Sequence, residues 1–414
     1  MVGRRWWTYG DSGTWTGEYV SAESALTVSA YWANIKLIAQ TIGTLSLPLY
    51  EKRPNNGREV LTNHDLYTIL HDSPNADQTS VEFWEGVGAN LCMHGNAYSE
   101  RQFSGTGPNR KLIGLRPLQA ELTQPFRTAD GALRYRHWDR GKLEEFPEDK
   151  IFHIKGFGMG GDMGLSPLAF ARQSLGIAQA SERAAGTLFA NGLRTRGFFV
   201  MPGALTPDQR KQAEKSLVEP YSGPNGKTIG ILESGVKFEA ANLSPHDAEM
   251  LLQRRFSVEE ICRFFGVPPI MIGHVAEGQT MWGTGVEELL TQFYTMGLRP
   301  FLVRIERAIT KSLIAPAERG RIYAEFNIES LLRANAQTRS QLFSTYVTHG
   351  IMTRNEVRAK ENLPRIPGGA DELTVQSQNI PVNDIGKEPI ANPANATPGG
   401  NSPQQRQARL EVVK

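Results

Sequence analysis

Three patterns in this chain carry residue types that could do chemistry, and each lacks a part which that chemistry requires. The run KGFGMGG puts Gly156, Gly158 and Gly161 at the GxGxxG spacing of a dinucleotide loop, after a strand pattern and before a helix start. It lies in mid-chain among antiparallel signals, however, with no alternating βαβ series, and Met163, Gly164 and Leu165 delay the helix to Ser166. It reads better as a loop whose glycines permit tight turning. Gly226-Lys227-Thr228 ends like a phosphate-binding loop, but the required earlier glycine is Tyr221, and Asn225-Gly226 is a hairpin-turn pair. Cys92 and His94 could be two metal ligands; a structural zinc needs four, and no matching pair follows. HExxH and GxSxG are both missing. The carboxylate pairs Glu259/Glu260 and Glu287/Glu288 sit on helical patterns, where neighbours diverge by about 100° and would not share a substrate. The expectation is no enzyme, no cofactor and no metal.

What the chain specifies instead is geometry. Residues 256–313 read as a helix, a Pro268-Pro269 break, a polar turn and a long amphipathic helix. On that last helix Leu302, Ile305, Ile309 and Leu313 form one stripe, and Arg304, Arg307 and Lys311 cluster opposite. Such a basic face is either solvated or turned toward a polyanion or an acidic neighbour, and spacing leaves both open.

The chain has 414 residues, enough for two or three domains with a sizeable core. With 45 basic and 43 acidic side chains, it lacks the positive bias of a groove-reading DNA binder. Any nucleic-acid contact must be local, or made by steric enclosure. Its two cysteines, Cys92 and Cys262, are far apart and read as reduced intracellular thiols. No apolar run approaches the ~18 residues of a membrane span, and the start MVGRRWW lacks a signal-peptide core. The expectation is a soluble protein assembled in a cytoplasm.

Residues 1–20 read as an arm, whose Trp6, Trp7 and Trp15 are buried either on a neighbouring subunit or on the arm's own domain. A helix is expected over 24–44, then an extended LSLPLYEKR, then a helix over 80–94 with Thr79 and Glu82 as a capping box. Strands are expected at 97–103, 111–117, 133–138 and 150–155, making the first ~155 residues α+β with an antiparallel sheet. Ser166-Pro167, Thr206-Pro207 and Ser244-Pro245 mark helix starts, the second with Gln209 as reciprocal partner. Further strands are expected at 197–201, 228–232 and 236–240, with an extended piece at 321–328. A helix over 334–349 and one capped by Thr353 and Glu356 follow. From 371 on, the Pro, Asn, Gly, Gln and Ser composition predicts a flexible tail.

An ordered set of segments resembles the portal proteins of tailed bacteriophages, the HK97-type branch in particular. They include SALTVSAYWANIKLIAQTIGTLSLPLYEK, HGNAYSE, HIKGFGMGGDMGLSPLAFARQSLG, SGPNGKTIGILESGVKFE, LSPHDAEMLLQRRFSVEEICRFFGVPPIMIG and RPFLVRIERAI. The last is FNIESLLRANAQTRSQLFSTYVTHGIMTRNEVRAKENLPRIPGGADEL, and together they span roughly residues 24–374. Similar proteins serve gene transfer agents, which the sequence does not separate from phages.

The resemblance implies an α+β portal fold, with an α/β wing, a two-helix stem, a small clip and a C-terminal crown or flexible tail. Laid onto this chain, it gives an arm at 1–20, a wing at 21–285, a first stem helix at 286–314 and a clip at 315–333. A second stem helix follows at 334–349, a tunnel and crown-leading segment at 350–370, and the tail at 371–414. It implies a ring of self-associated copies, usually twelve, at one capsid vertex of the virion. Double-stranded DNA would pass through its channel during genome packaging and ejection. The terminase large subunit, which supplies the ATPase activity, the head–tail adaptor and the major capsid protein would be its partners, with no membrane. Channel-facing candidates are Arg304, Arg307, Lys311, Arg339 and Arg354, each equally able to pair with a neighbouring copy. Clip and motor-docking candidates are Arg319, Arg321, Tyr323 and Glu325. The alternative is another head–tail connector or a minor capsid component, which would form a smaller ring without two stem helices flanking a clip.

Overall fold

The computed structural model describes residues 13–53, 57–105, 110–190, 197–200, 206–213, 215, 237–240, 246–275, 285–328, 336–361 and 363–374. Trp6, Trp7, the 225–228 run, the expected strand at 228–232, Ser244-Pro245 and the tail beyond 374 lie outside them. The chain divides into one unit through Ala334 and a second from Asn335.

Local capping chemistry sets the first helices. The expected helix over 24–44 is two helices, α1 (Ala22–Leu26) and α2 (Ser29–Thr44), parted where Val28 turns extended. Ser21 and Ser24 exchange reciprocal cap bonds that start α1. A short α3 (Asp65–Tyr67) runs into a π turn, and α4 (Ser80–His94) begins at the Thr79–Glu82 capping box. Gly95, in the left-handed region at φ 67°, ends α4. Helices α2 and α4 pack closely because Gly88 leaves room: a Cβ there would stand 3.0 Å from the Ala39 Cα.

Every strand pairing described is antiparallel. Strand β3 (Asn96–Ser104) lies between β4 (Lys111–Leu118) and β8 (Ile151–Lys155). A second sheet holds β5 (Thr123–Arg127), β6 (Leu133–Asp139) and β7 (Lys142–Pro147). The β6–β7 turn takes positive φ at both Arg140 and Gly141, which matches the twist of a two-residue hairpin. Strands β5 and β7 escape sequence patterning because Pro125 interrupts one and the other is mostly polar. Strand β1 (Leu49–Lys52) pairs with β2 (Arg58–Val60) and, from the far end of the unit, with β11 (Ile322–Ala324). Strands β9 (Gly197–Val200) and β10 (Lys237–Ala240) pair with each other.

One core joins α1, α2, α4, β3 and β8 to the later helices α5 (Pro167–Ala190), α7 (His246–Phe265) and α9 (Arg299–Ser312). Helix α6 (Pro207–Ala213) starts at Thr206 with Gln209 as its partner, and α8 (Gly285–Gln292) reaches α9 through a π turn. The apolar stripe of α9 holds: Leu302, Ile305 and Ile309 are buried and Leu313 packs against them. Helix α5 enters the core through Leu168, Ala171, Leu175 and Ala178, and α7 through Ile261 and Phe265. Beyond those positions Arg183, Ala184, Gly186 and Thr187 on α5 and Arg255 and Phe256 on α7 are exposed, although Ala185 is buried. The arm lies on its own α5: Thr14 covers Gly176, the Trp15 backbone N–H bonds Gln173 and Glu18 pairs with Arg183, while the Trp15 ring is 89% exposed.

In the second unit, α10 (Ala336–Thr348) ends at Gly350, φ 68°, with the Ile351 N–H reaching back to the Tyr346 carbonyl at 2.8 Å. The Thr353–Glu356 capping box then starts α11 (Arg354–Lys360). Buried Asn355 bonds both the N–H and the carbonyl of Ile366, and also Asp371, folding the chain after α11 back onto it.

Candidate functional site

The glycine-rich loop is a structural clasp. Strand β8 delivers Gly156 against Gly95, with the Gly156 N–H donating to the Gly95 carbonyl at 2.8 Å. A Cβ on Gly95 would fall 1.9 Å from the Leu165 carbonyl oxygen, and one on Gly164 would fall 2.2 Å from the Gly95 oxygen. Three backbone segments therefore meet where no side chain fits. Asn96 closes the clasp. Its Nδ2 donates to the carbonyls of His94 (3.0 Å) and Gly164 (2.9 Å), and its Oδ1 accepts from the Gly164 N–H at 2.7 Å. With both amide hydrogens spent, Oδ1 must also accept from His153 Nε2 at 3.0 Å, leaving Nδ1 to accept the Tyr135 hydroxyl at 3.2 Å. That tautomer is neutral, in keeping with burial pushing the His153 pKa down to about 3. Arg127 grips Asp162 through two hydrogen bonds, 2.8 and 2.6 Å, tying the loop to β5. Of the three glycines at GxGxxG spacing only Gly156 sits in this clasp; a Cβ on Gly158 would stand 3.2 Å from the Met163 carbonyl oxygen, and Gly161 faces open space. The tip of the loop presents Phe157 and Met159, 65% and 80% exposed.

Other residues that could do chemistry are muted by burial. The Cys92 thiol is fully buried, which pushes its pKa up, and burial holds His94 down to about 4. Among the described residues no three His, Cys, Asp or Glu side chains group as metal ligands. A cavity of about 280 Å³ opens where α2, α5 and α7 meet, lined in part by Ser29, Ser181, Glu182, Arg255, Ser257 and His274. It is at the small end for a ligand pocket. Among the described residues no helix is long and apolar enough to cross a membrane.

The basic face of α9 lies on the outside of the core. Arg307 and Lys311 are exposed and Arg304 is half-buried. None of the three has a salt bridge among the described residues. Between them in sequence sits an acid, Glu306, off the apolar stripe. Glu306 accepts the Phe326 N–H at 3.0 Å, and burial raises its pKa. Arg354 is exposed at the start of α11; Arg339 lies in α10 and its side chain is outside the described set.

Of the residues expected at a clip, Tyr323 lies on β11, Arg321 and Glu325 flank it, and Arg319 lies in the turn after α9. Arg319 caps α9, donating to the carbonyls of Ile314 (3.1 Å) and Lys311 (2.7 Å). Arg101, from β3, adds a third guanidinium bond at Ser312, 2.5 Å. Arg321 pairs with Glu51 at 3.2 Å across the β1–β11 ladder. Tyr323 stacks on Tyr50 with ring centroids 5.7 Å apart, and Glu325 pairs with Arg58 at 2.9 Å. Three of these four belong to a cross-strand network that only the β1–β11 pairing creates. Asn96 and Glu306 carried no sequence signal beyond being polar next to apolar runs.

Among the described residues, backbone clasps and helix caps hold the body, and three cations along α9 make no salt bridge. The chain belongs to the phage portal protein family, whose model matches residues 29–362. It is 36% identical over 379 residues to the portal protein of Enterobacteria phage HK97, covering 91% of this chain and 88% of that protein. It is 31% identical over 391 residues to the probable portal protein of Streptomyces phage phiC31, covering 90% and 82%. In fold it is similar to a chain in the neck of a native gene transfer agent particle computed with C12 symmetry. That match has a TM-score of 0.56 at 24% identity and covers 83% of this chain and 93% of that one. The expected α+β portal fold is thereby shown, as is the role of portal protein in a phage or phage-like particle.

Proposed function

We propose that copies of this protein close into a ring at one capsid vertex and form the channel through which double-stranded DNA is packaged and ejected. The terminase large subunit and the head–tail adaptor would dock on it in turn, with the major capsid protein around it and the motor supplying ATP hydrolysis. The twelve-fold neck of the gene transfer agent supports a ring of about that order for this chain. Head-to-tail contacts close such a ring when two different faces of one subunit complement each other.

The observation that carries this reading is the α5–α7 pair. The two helices run 24 and 20 residues and pack against each other, embedded in the core at one end. At about 1.5 Å per residue they are roughly 36 and 30 Å long. Between them comes the segment 191–245, which includes the β9–β10 pair. Two helices flanking an inserted segment are what a stem and clip need. The body-packed α9, with Leu302, Ile305 and Ile309 buried, is less suited to project alone. We therefore propose α5 and α7 as the stem and 191–245 as the clip, as a different reading from the 286–314, 334–349 and 315–333 that the resemblance implied. Arg319, Arg321, Tyr323 and Glu325 become braces of the wing. Arg304, Arg307 and Lys311 remain candidates for facing DNA or a neighbouring copy, as do Arg339 and Arg354.

Electron microscopy of the purified full chain tests the reading: rings with an axial hole wide enough for a duplex are expected. Monomers at every concentration, or small rings without a projecting helical stem, would refute it, the latter favouring an adaptor or minor capsid component.

A further inference from the structure

The cationic edge of α9 does not stop at the end of the helix. Arg304, Arg307 and Lys311 follow one another at helical spacing, and Lys311 stands in the last turn. Strand β8 packs on α9 and ends at the exposed Lys155, whose Nζ donates to the Gly161 carbonyl of the glycine loop at 3.4 Å. The charge of Lys311 is felt at both His153 and Lys155. Two acids also act on Lys155: Asp162, which Arg127 holds, and Glu148 on the turn before β8, while Asp149 pairs with Arg110 at 3.2 Å. Arg101 and Arg319 also converge on the last carbonyls of α9 and offset its negative end. Neither lysine has a salt bridge among the described residues. With β8 packed on α9, the two ammonium groups lie on one rigid pair of elements, where an external anion could bridge them.

We propose that Lys155 and Lys311, with Arg307 and Arg304 behind them, form a phosphate-binding track for the backbone of duplex DNA on the wing. The proposal rests on the portal reading and deepens it by naming where the polyanion touches this chain. The geometry fits a backbone better than a point anion. Arg304 to Lys311 advances about 10 Å along the helix, close to three nucleotide rises of about 3.4 Å along a duplex axis. Contacts of this kind carry no sequence information. They suit a protein through which any genome must pass. The clasp contributes rigidity, because Asn96, Gly164 and Arg127–Asp162 fix the loop beside Lys155, leaving its ammonium a single long bond at 3.4 Å to Gly161.

The test uses full-length rings, a short blunt duplex and a salt titration of its binding. Lys155→Gln with Lys311→Gln should lower the slope of log K against log salt by about 2, one per lysine. Lys36→Gln with Lys142→Gln, exposed lysines elsewhere, should leave the slope unchanged. Intact variant rings with the wild-type slope overturn the proposal. So does a folded variant that no longer forms rings, which would place the two cations against an acidic face of a neighbouring copy. A second measurement does not depend on the variant: duplex DNA should protect both lysines of wild-type rings from acetylation, and unprotected lysines on DNA-bound rings overturn the track. Failure of the wild type to form rings at all would instead strike the portal reading.

Discussion

Replacing Asn96 with leucine removes a side chain that holds the glycine loop, β8 and the end of α4 together. The substitution fills similar space but strands four polar groups. Two of them, the N–H and the carbonyl of Gly164, are in buried contacts at 2.7 and 2.9 Å. The other two, the His94 carbonyl and His153 Nε2, are in part-buried contacts and add less. Orphaning a buried group costs about 1–3 kcal/mol, so the two at Gly164 set the loss at roughly 4 kcal/mol. Urea unfolding of the full chain, followed by tryptophan emission, should show the first transition moved by that amount with an unchanged slope. Amide exchange at Gly164 should quicken first, because the clasp opens locally before the core does. Asn96→Asp separates the two halves of the argument, since it keeps the acceptor but cannot donate to His94 or Gly164. A loss below about 1 kcal/mol in the leucine variant, with the loop still protected, would refute the clasp.

Three further outcomes follow from the same geometry. Burial holds His153 down to about 3 and His94 down to about 4, while the unfolded value is about 6.5. Their stabilisation is therefore complete above pH ~6.5 and lost as pH falls through that window, by up to about 1.4 kcal/mol per unit for each group; acid titration of the melting temperature, with His153→Gln flattening it, checks this. Glu306 has a pKa raised by burial, so its contribution is present in acid and lost as pH rises through the folded value. Glu306→Gln should be at least as stable as wild type at neutral pH, whereas Glu306→Ala strands the Phe326 N–H and loses about 1–3 kcal/mol by urea titration. Arg319→Ala removes two bonds to the end of α9 and should cost about 1 kcal/mol in the same assay, without the loss of terminase or adaptor binding that a docking role would bring.

Features confined to a turn or two could be read straight from the residues. Thr79 with Glu82, Thr206 with Gln209 and Thr353 with Glu356 start helices where expected, because a capping box is complete within four residues. The stripe of Leu302, Ile305 and Ile309 was legible for the same reason: helical period alone puts these residues on one face. The ordered motifs carried the family. Tertiary structure decided what depends on which segments meet. Arg321, Tyr323 and Glu325 were legible as charged and aromatic residues on an extended piece, but their partners Glu51, Tyr50 and Arg58 come from the opposite end of the unit. Gly95, Gly156 and Gly164 each look like turn residues, and only their convergence shows that the space is taken by backbone. Glu306 reads as one more surface acid until Phe326 closes over it. A local signal is fixed by bond geometry within a turn or two, whereas burial and pairing are set by contacts across the whole chain, which no window of sequence contains.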